Sequence, residues 1–369
     1  MKRMAAPGLF ATCRVALVTF TLSAFGIDAP AQIAPATSRL PRTNLLVYHN
    51  GKGEVAEVRT KTVWLKRRAE ILQGCEDIMG PVPARQKRCP LDISIADQSD
   101  HGSYLLRSVT YASEPNCRTP AFLLIPKPTF HSQKRAPAVL VLHPTDMEYG
   151  NRVVVEQLRE TYRAYGKELA ERGYVVLAPA YPLMANYQPD LKTLGYSSGT
   201  MKAILDNIRG LDLLESLPFV KKGQFGAVGH SLGGHNAIYT ALFDGRIKVV
   251  VSSCGFDSYV DYKDGDIRGW TSERYMPRLL EYRDRLEKVP FDFHELIGAL
   301  APRRVFINAP KGDSNFKWQS VDAILQAARP VYRLYGAEKN ILIEHPDCGH
   351  EFPPEMRELA YRTLDSVLK

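Results

Sequence analysis

The sequence predicts an α/β protein with a mostly parallel central sheet, helices on both of its faces, and antiparallel strands at its start. Three observations carry this. First, apolar runs without alternation, Ala138-Val139-Leu140-Val141-Leu142 and Tyr174-Val175-Val176-Leu177-Ala178, read as strands buried on both faces. Second, helical stretches separate such runs, and strands alternating with helices imply βαβ units. Third, residues 91–95, 103–113 and 121–125 precede them with no helix between, as expected of antiparallel strands that widen the sheet.

Taken in order, the 369-residue chain begins with a leader. Lys2 and Arg3 are followed by an apolar stretch at residues 15–22 and by Ala29-Pro30-Ala31, an A-x-A-like cleavage site. Residues 1–31 therefore read as a signal peptide, too short and interrupted to span a membrane permanently, and a periplasmic or secreted location is expected. The formal charge is +8, and removal of Lys2, Arg3, Arg14 and Asp28 with the leader leaves +6. The basic residues are dispersed and no nucleic-acid motif is present, so no nucleic-acid partner is expected. Export permits disulfides. Of the five cysteines after the leader, Cys75 and Cys89 bracket a Pro-rich loop and are the expected bridge. No Cys/His spacing suggests zinc, and no cofactor motif appears.

Residues 32–90 form an N-terminal extension that contains a helix over 61–80. The main domain spans 91–369. Residues 153–172 read as a helix closed by Gly173, residues 198–217 as another, and residues 355–368 as the closing helix. Further strands are expected at 223–229, 249–253, 303–308 and 340–344. Residues 256–300 interrupt two core strands with aromatic and charged sequence, and are expected to cap the site.

Gly229-His230-Ser231-Leu232-Gly233 lies between the strand at 223–229 and helix-compatible sequence. In that context G-x-S-x-G predicts a nucleophile elbow, in which the flanking glycines permit a sharp turn and Ser231 is presented off the sheet. A serine hydroxyl needs a base and the base an orienting carboxylate, in the chain order Ser, acid, His. His350, in the loop after the last core strand, is the expected base, in preference to His345 on the strand end. Asp313, after the strand at 303–308, is the expected acid, with Asp257 as the alternative. Asp347 is expected only to shape the His350 turn. The oxyanion hole is expected from the Leu232 N–H and from the loop His143-Pro144-Thr145. Pro144 has no N–H, which leaves Thr145 as the second donor. His143 is expected to bond within its loop. With His230, Trp270 and Tyr275 it also completes the set of possible pocket residues.

On these stretches, together with Asn308-Ala309-Pro310-Lys311-Gly312-Asp313, Asp347-Cys348-Gly349-His350 and residues 269–277, the chain resembles the α/β-hydrolase superfamily over about residues 91–369. The likeness is to its dienelactone-hydrolase and acetyl-xylan-esterase-like branches. It implies an α/β-hydrolase fold and an exported serine esterase that cleaves acyl or carbohydrate-linked carboxylic esters without a cofactor. Ser231 in place of Cys disfavours dienelactone as substrate, and the absence of Asp at the elbow disfavours dehalogenase and epoxide-hydrolase chemistry. Two alternatives stay open from the residues: a serine peptidase of prolyl-oligopeptidase type, or a non-catalytic binding protein on the same scaffold.

Overall fold

A computed structural model describes residue 1 and residues 38–83, 88–159 and 163–369. The expected leader lies outside the described residues, apart from the exposed Met1. The chain divides into two units, Met1–Ser38 and Arg39–Lys369, and the second holds every element below. No helix among the described residues is long and apolar enough to cross a membrane.

A small antiparallel pair, β1 (Val47–His49) and β2 (Val55–Glu57), precedes helix α1 (Lys61–Met79). The antiparallel strands β3 (Ser94–Asp100), β4 (Tyr104–Glu114) and β5 (Cys117–Pro126) follow. The parallel part comprises β6 (Ala136–Leu142), β7 (Val175–Pro179), β8 (Val220–His230), β9 (Ile247–Ser253), β10 (Arg304–Asn308) and β11 (Ile341–Glu344). Together these nine strands form one sheet in the order β11-β10-β9-β8-β6-β7-β5-β4-β3. Helices α2 (Tyr165–Glu171), α3 (Leu191–Leu194), α4 (Gly199–Ser216), α5 (Leu232–Phe243), α6 (Phe293–Ala299), α7 (Trp318–Tyr335) and α8 (Pro354–Leu368) complete the fold.

The two-sided burial read from the apolar runs has a direct counterpart. Ala138, Leu140 and Leu142 of β6 join the core shared with α1, α4, α5, α6 and α7, whereas Val139 and Val141 join the core shared with α2 and α8. Successive strand side chains point to opposite faces, so an unbroken apolar run is what a strand covered on both sides requires.

The helix expected over 153–172 does not form as such. The chain makes a single 3-10 turn at Gly150–Val154, runs on irregularly, and enters α2 only at Tyr165, residues 160–162 lying outside the described set. Val153, Val154 and Val155 are all buried in the α2/α8 core. Three consecutive inward β-branched residues cannot share one face of an α-helix. Arg159 is also drawn away to the Asp146 carboxylate, at 2.8 and 2.9 Å. The Cys75–Cys89 bridge is likewise not formed. Cys75 is on the buried face of α1 and all five cysteines of the described chain are free. A thiol turned into the core cannot also reach a partner beyond the Pro-rich loop.

From Arg39 onward, the N-terminal extension belongs to the same compact unit as the sheet. Arg39 and Arg67 pair with the buried Glu295 of α6 at 2.5 and 3.3 Å, and Arg42 pairs with Asp292 at 2.9 Å. Residues 256–300 contain four 3-10 turns and α6, and carry Trp270 and Tyr275.

Candidate active site

The strand β8 ends at His230 and α5 begins at Leu232, so Ser231 alone makes the reversal. Its backbone has φ 54° and ψ −123°, a region that costs a non-glycine residue about 1–3 kcal/mol and persists only where the surroundings impose it. The glycines explain how they do. A Cβ on Gly229 would lie 2.1 Å from the Gly233 carbonyl carbon, and one on Gly233 would lie 1.9 Å from the Leu142 oxygen. Strand, turn and helix thus close on one another without room for side chains. The Ser231 N–H donates to the Ser253 carbonyl at the end of β9, at 2.7 Å, which ties the turn to the neighbouring strand.

Three side chains distant in sequence meet at this turn. His350 Nε2 lies 2.9 Å from Ser231 Oγ, and His350 Nδ1 lies 2.9 and 3.0 Å from the two oxygens of Asp313. The Asp313 side chain is 1% exposed and that of His350 is 19%, so the acid is sealed while the base can be reached from solvent. Burial alone would raise the Asp313 pKa. The His350 hydrogen bond and charge, with the Asn315 and Phe316 amides, overcome that and hold the carboxyl below its ordinary value. The arrangement suits a hydroxyl nucleophile, an imidazole that takes its proton, and a carboxylate that selects the ring tautomer.

Asp257 is placed differently. It accepts the Lys317 N–H at 3.0 Å, its other oxygen has no partner, and burial raises its pKa to about 7. No hydrogen bond joins it to His350 among the described residues. His345 is bound to the Ala309 carbonyl and to Asp322, away from Ser231.

Neither the Leu232 nor the Thr145 amide donates to another group among the described residues, and both remain free for an oxyanion. The loop that carries Thr145 is held at several points. Asp146 accepts from the Glu148 and Tyr149 amides and from Arg159. The Thr145 hydroxyl meets the Tyr275 hydroxyl at 3.0 Å. His143 is buried with Nδ1 on the Pro144 carbonyl and Nε2 accepting from the Tyr181 amide. That use of both ring nitrogens takes His143 out of the set of pocket residues and into its own loop.

His230 is buried beside the base, ring centroids 4.9 Å apart, with Nδ1 on Ser253 Oγ. Burial first, then His350 and Arg163, push its pKa well below the ordinary value, so it is neutral. An aromatic wall runs from His350 to Phe316 (5.9 Å), on to Trp270 (6.1 Å) and to Tyr275 (5.6 Å). Phe316, Arg163, Ser253 and Cys254 were not legible as site residues. They carry no motif, and only the meeting of separate loops brings them here. The Cys254 sulfur, a ring nitrogen of His350 and a carboxylate oxygen of Asp313 lie within 4.8 Å of one another.

A nucleophile elbow between parallel strand and helix, with acid and base on the loops after the following strands, defines the α/β-hydrolase class. Comparison with known proteins agrees. The description "Dienelactone hydrolase family" matches residues 120–264, and "Glucuronyl esterase, fungi" matches residues 197–336. The Putative hydrolase YtaP of Bacillus subtilis (strain 168) is 25% identical over 314 residues, 82% of this chain and 100% of its own length. Carbohydrate esterase MZ0003, from an unknown prokaryotic organism, is 26% identical over 182 residues, 43% of this chain and 40% of its own length. A glucuronoyl esterase from Solibacter usitatus superposes with a TM-score of 0.70 at 18% identity, over 90% of this chain and 99% of that one, a likeness of fold. The protein has the α/β-hydrolase fold.

Proposed function

We propose that the protein is an exported serine esterase acting through an acyl-enzyme on Ser231, with carbohydrate-linked carboxylic esters as the substrate class. The observation that carries the mechanism is the unbroken chain Ser231 Oγ, His350 and Asp313, at 2.9 Å and 2.9 Å, on a strained elbow. His350 takes the Ser231 proton as Oγ attacks the ester carbonyl. Asp313 keeps Nδ1 protonated and stabilises the imidazolium. The Leu232 and Thr145 amides receive the oxyanion, and His350 returns the proton to the departing alkoxide. Water activated by His350 then releases the acid.

The substrate class rests on two supports. Relatives named as carbohydrate and glucuronoyl esterases share the sequence pattern or the fold. The Phe316, Trp270 and Tyr275 wall offers the aromatic surface on which sugar rings pack. The charged and then apolar leader supports export.

A fluorophosphonate probe with mass-spectrometric mapping tests the mechanism. Labelling at Ser231, lost in Ser231→Ala together with ester turnover, is expected. Folded protein that takes up no probe would return the weight to a binding protein on the same scaffold. A panel of acetylated and uronoyl sugar esters against simple alkyl esters and peptide amides tests the substrate class.

A further inference from the structure

A cavity of about 110 Å³ borders the His350 ring, lined by Arg163, Tyr165, His230, Phe352 and Arg357. Its polar groups are accounted for with one exception. Arg357 is matched by Glu168 at 2.9 and 3.2 Å and by the Phe352 carbonyl at 2.7 Å. The Tyr165 hydroxyl donates to the Leu142 carbonyl, and His230 Nδ1 meets Ser253 Oγ. Arg163, half-buried, makes no ion pair and no side-chain hydrogen bond among the described residues. Glu351, the one carboxylate among the described residues that line the cavity, is exposed and forms no ion pair among the described residues either. The first residue of α8, Pro354, also lines the cavity, so the positive end of a 15-residue helix adds to the charge of Arg163.

A guanidinium withdrawn from water without a counter-charge is unfavourable, and its forked donors match a carboxylate. The volume suits a carboxylate with its adjoining carbons, a few times the roughly 30 Å³ of one liquid water. His350 lines this cavity and also bonds Ser231, so the cavity adjoins the side chain that serves an ester held on Ser231.

We infer that this cavity is a subsite for a carboxylate carried by the ester substrate close to the scissile bond, with Arg163 as the residue that recognises it. The inference rests on the esterase mechanism proposed above and narrows its substrates to anionic esters.

Two matched pairs test it and separate the two ends of the ester. Monomethyl against dimethyl succinate places the charge on the acyl part; O-acetylglycolate against O-acetylglycolamide places it on the alcohol part. We expect the charged member of one pair to be favoured by about tenfold or more in kcat/KM, the scale of a hydrogen-bonded charge. Arg163→Gln should bring that ratio close to one, Arg163→Lys should keep part of it, and added salt should narrow it in the unaltered enzyme. Equal turnover within both pairs, or a ratio untouched by Arg163→Gln, overturns the subsite and leaves the esterase reading standing. No turnover of any of the four esters, with no probe on Ser231, overturns both.

Discussion

Asp313 and Asp257 are buried carboxyls on the loops after adjacent strands, and their surroundings drive them in opposite directions. Burial opposes ionisation of both. At Asp313 the His350 bond and two amides outweigh it, while at Asp257 one amide does not outweigh burial and the nearby Asp261 and Asp292. Asp313→Asn should therefore lower kcat by about 10³–10⁴-fold through loss of the correct His350 tautomer, whereas Asp257→Asn should leave kcat within a few-fold. Similar losses in both variants would mean that Asp257 shares the acid's role. Asp257 carries a second prediction, for stability. Its folded pKa is raised from 3.8 to about 7, so between those values the native state holds a proton that the unfolded state has released. Its contribution to stability therefore falls as pH rises through that window. Asp257→Asn has no charge to bury, and its Tm relative to wild type should climb from pH 5 to pH 8. A pH-independent difference would show that this carboxyl ionises normally.

At the scale of elements, the elbow was legible because it is local. Gly229, Ser231 and Gly233 fall within five residues, and the clash that demands glycine at 229 arises between the strand and the helix that the same segment joins, while that at 233 is with the adjacent strand β6. The meeting of Asp313 and His350 with Ser231 was legible for a related reason: each follows a readable strand, β10 or β11. The stretch between β6 and α2 was not. Its apolar residues suggest a helix, but the Val153–Val155 run and the Arg159–Asp146 pair commit it to an irregular path that only the packed molecule specifies. Arg163 was hidden for the same reason. This stretch also determines where the Thr145 amide sits. Arg159 grips both Asp146 oxygens and Asp146 adjoins Thr145, which makes Arg159 a positioning residue for the loop of the proposed oxyanion donor. The pair is partly solvated, with the arginine side chain 36% exposed, so its loss should be a modest one. Arg159→Ala should lower kcat by a few-fold at most with KM nearly unchanged, and Arg159→Lys should restore part of it. A change confined to KM would mean that the pair steadies substrate binding rather than the transition state.

Across the whole molecule, the apolar core was written plainly in the sequence, but its buried polar groups were not, and these govern the response to acid. His143 and His235 are enclosed, and burial lowers their pKa values from 6.5 to about 4 and about 3. His143 satisfies both nitrogens with backbone groups, whereas His235 stacks on Trp270 at 4.4 Å and has only the Gly255 backbone to favour its charged form. In each case the folded pKa lies below the unfolded one. Above pH 6.5 both states are neutral and nothing is lost. As pH falls below 6.5 the unfolded chain binds protons that the native protein refuses, and stability declines until the folded pKa is reached. For His143 alone the loss is about 3 kcal/mol by pH 4, at 1.36 kcal/mol per unit. Asp257 pulls the other way over nearly the same range, but one carboxyl stands against two imidazoles, with His230 adding to their side. The net result should be a Tm that drops steadily from pH 6.5 to pH 4. His143→Gln, which keeps a donor and an acceptor in the loop but cannot titrate, should reduce that slope without removing it, because His235 still contributes. Thermal melts of the two proteins at half-unit steps provide the check. Parallel lines would mean that His143 is protonated in the native state well above pH 4, and the acid sensitivity of the fold would then have to come from His230 and His235.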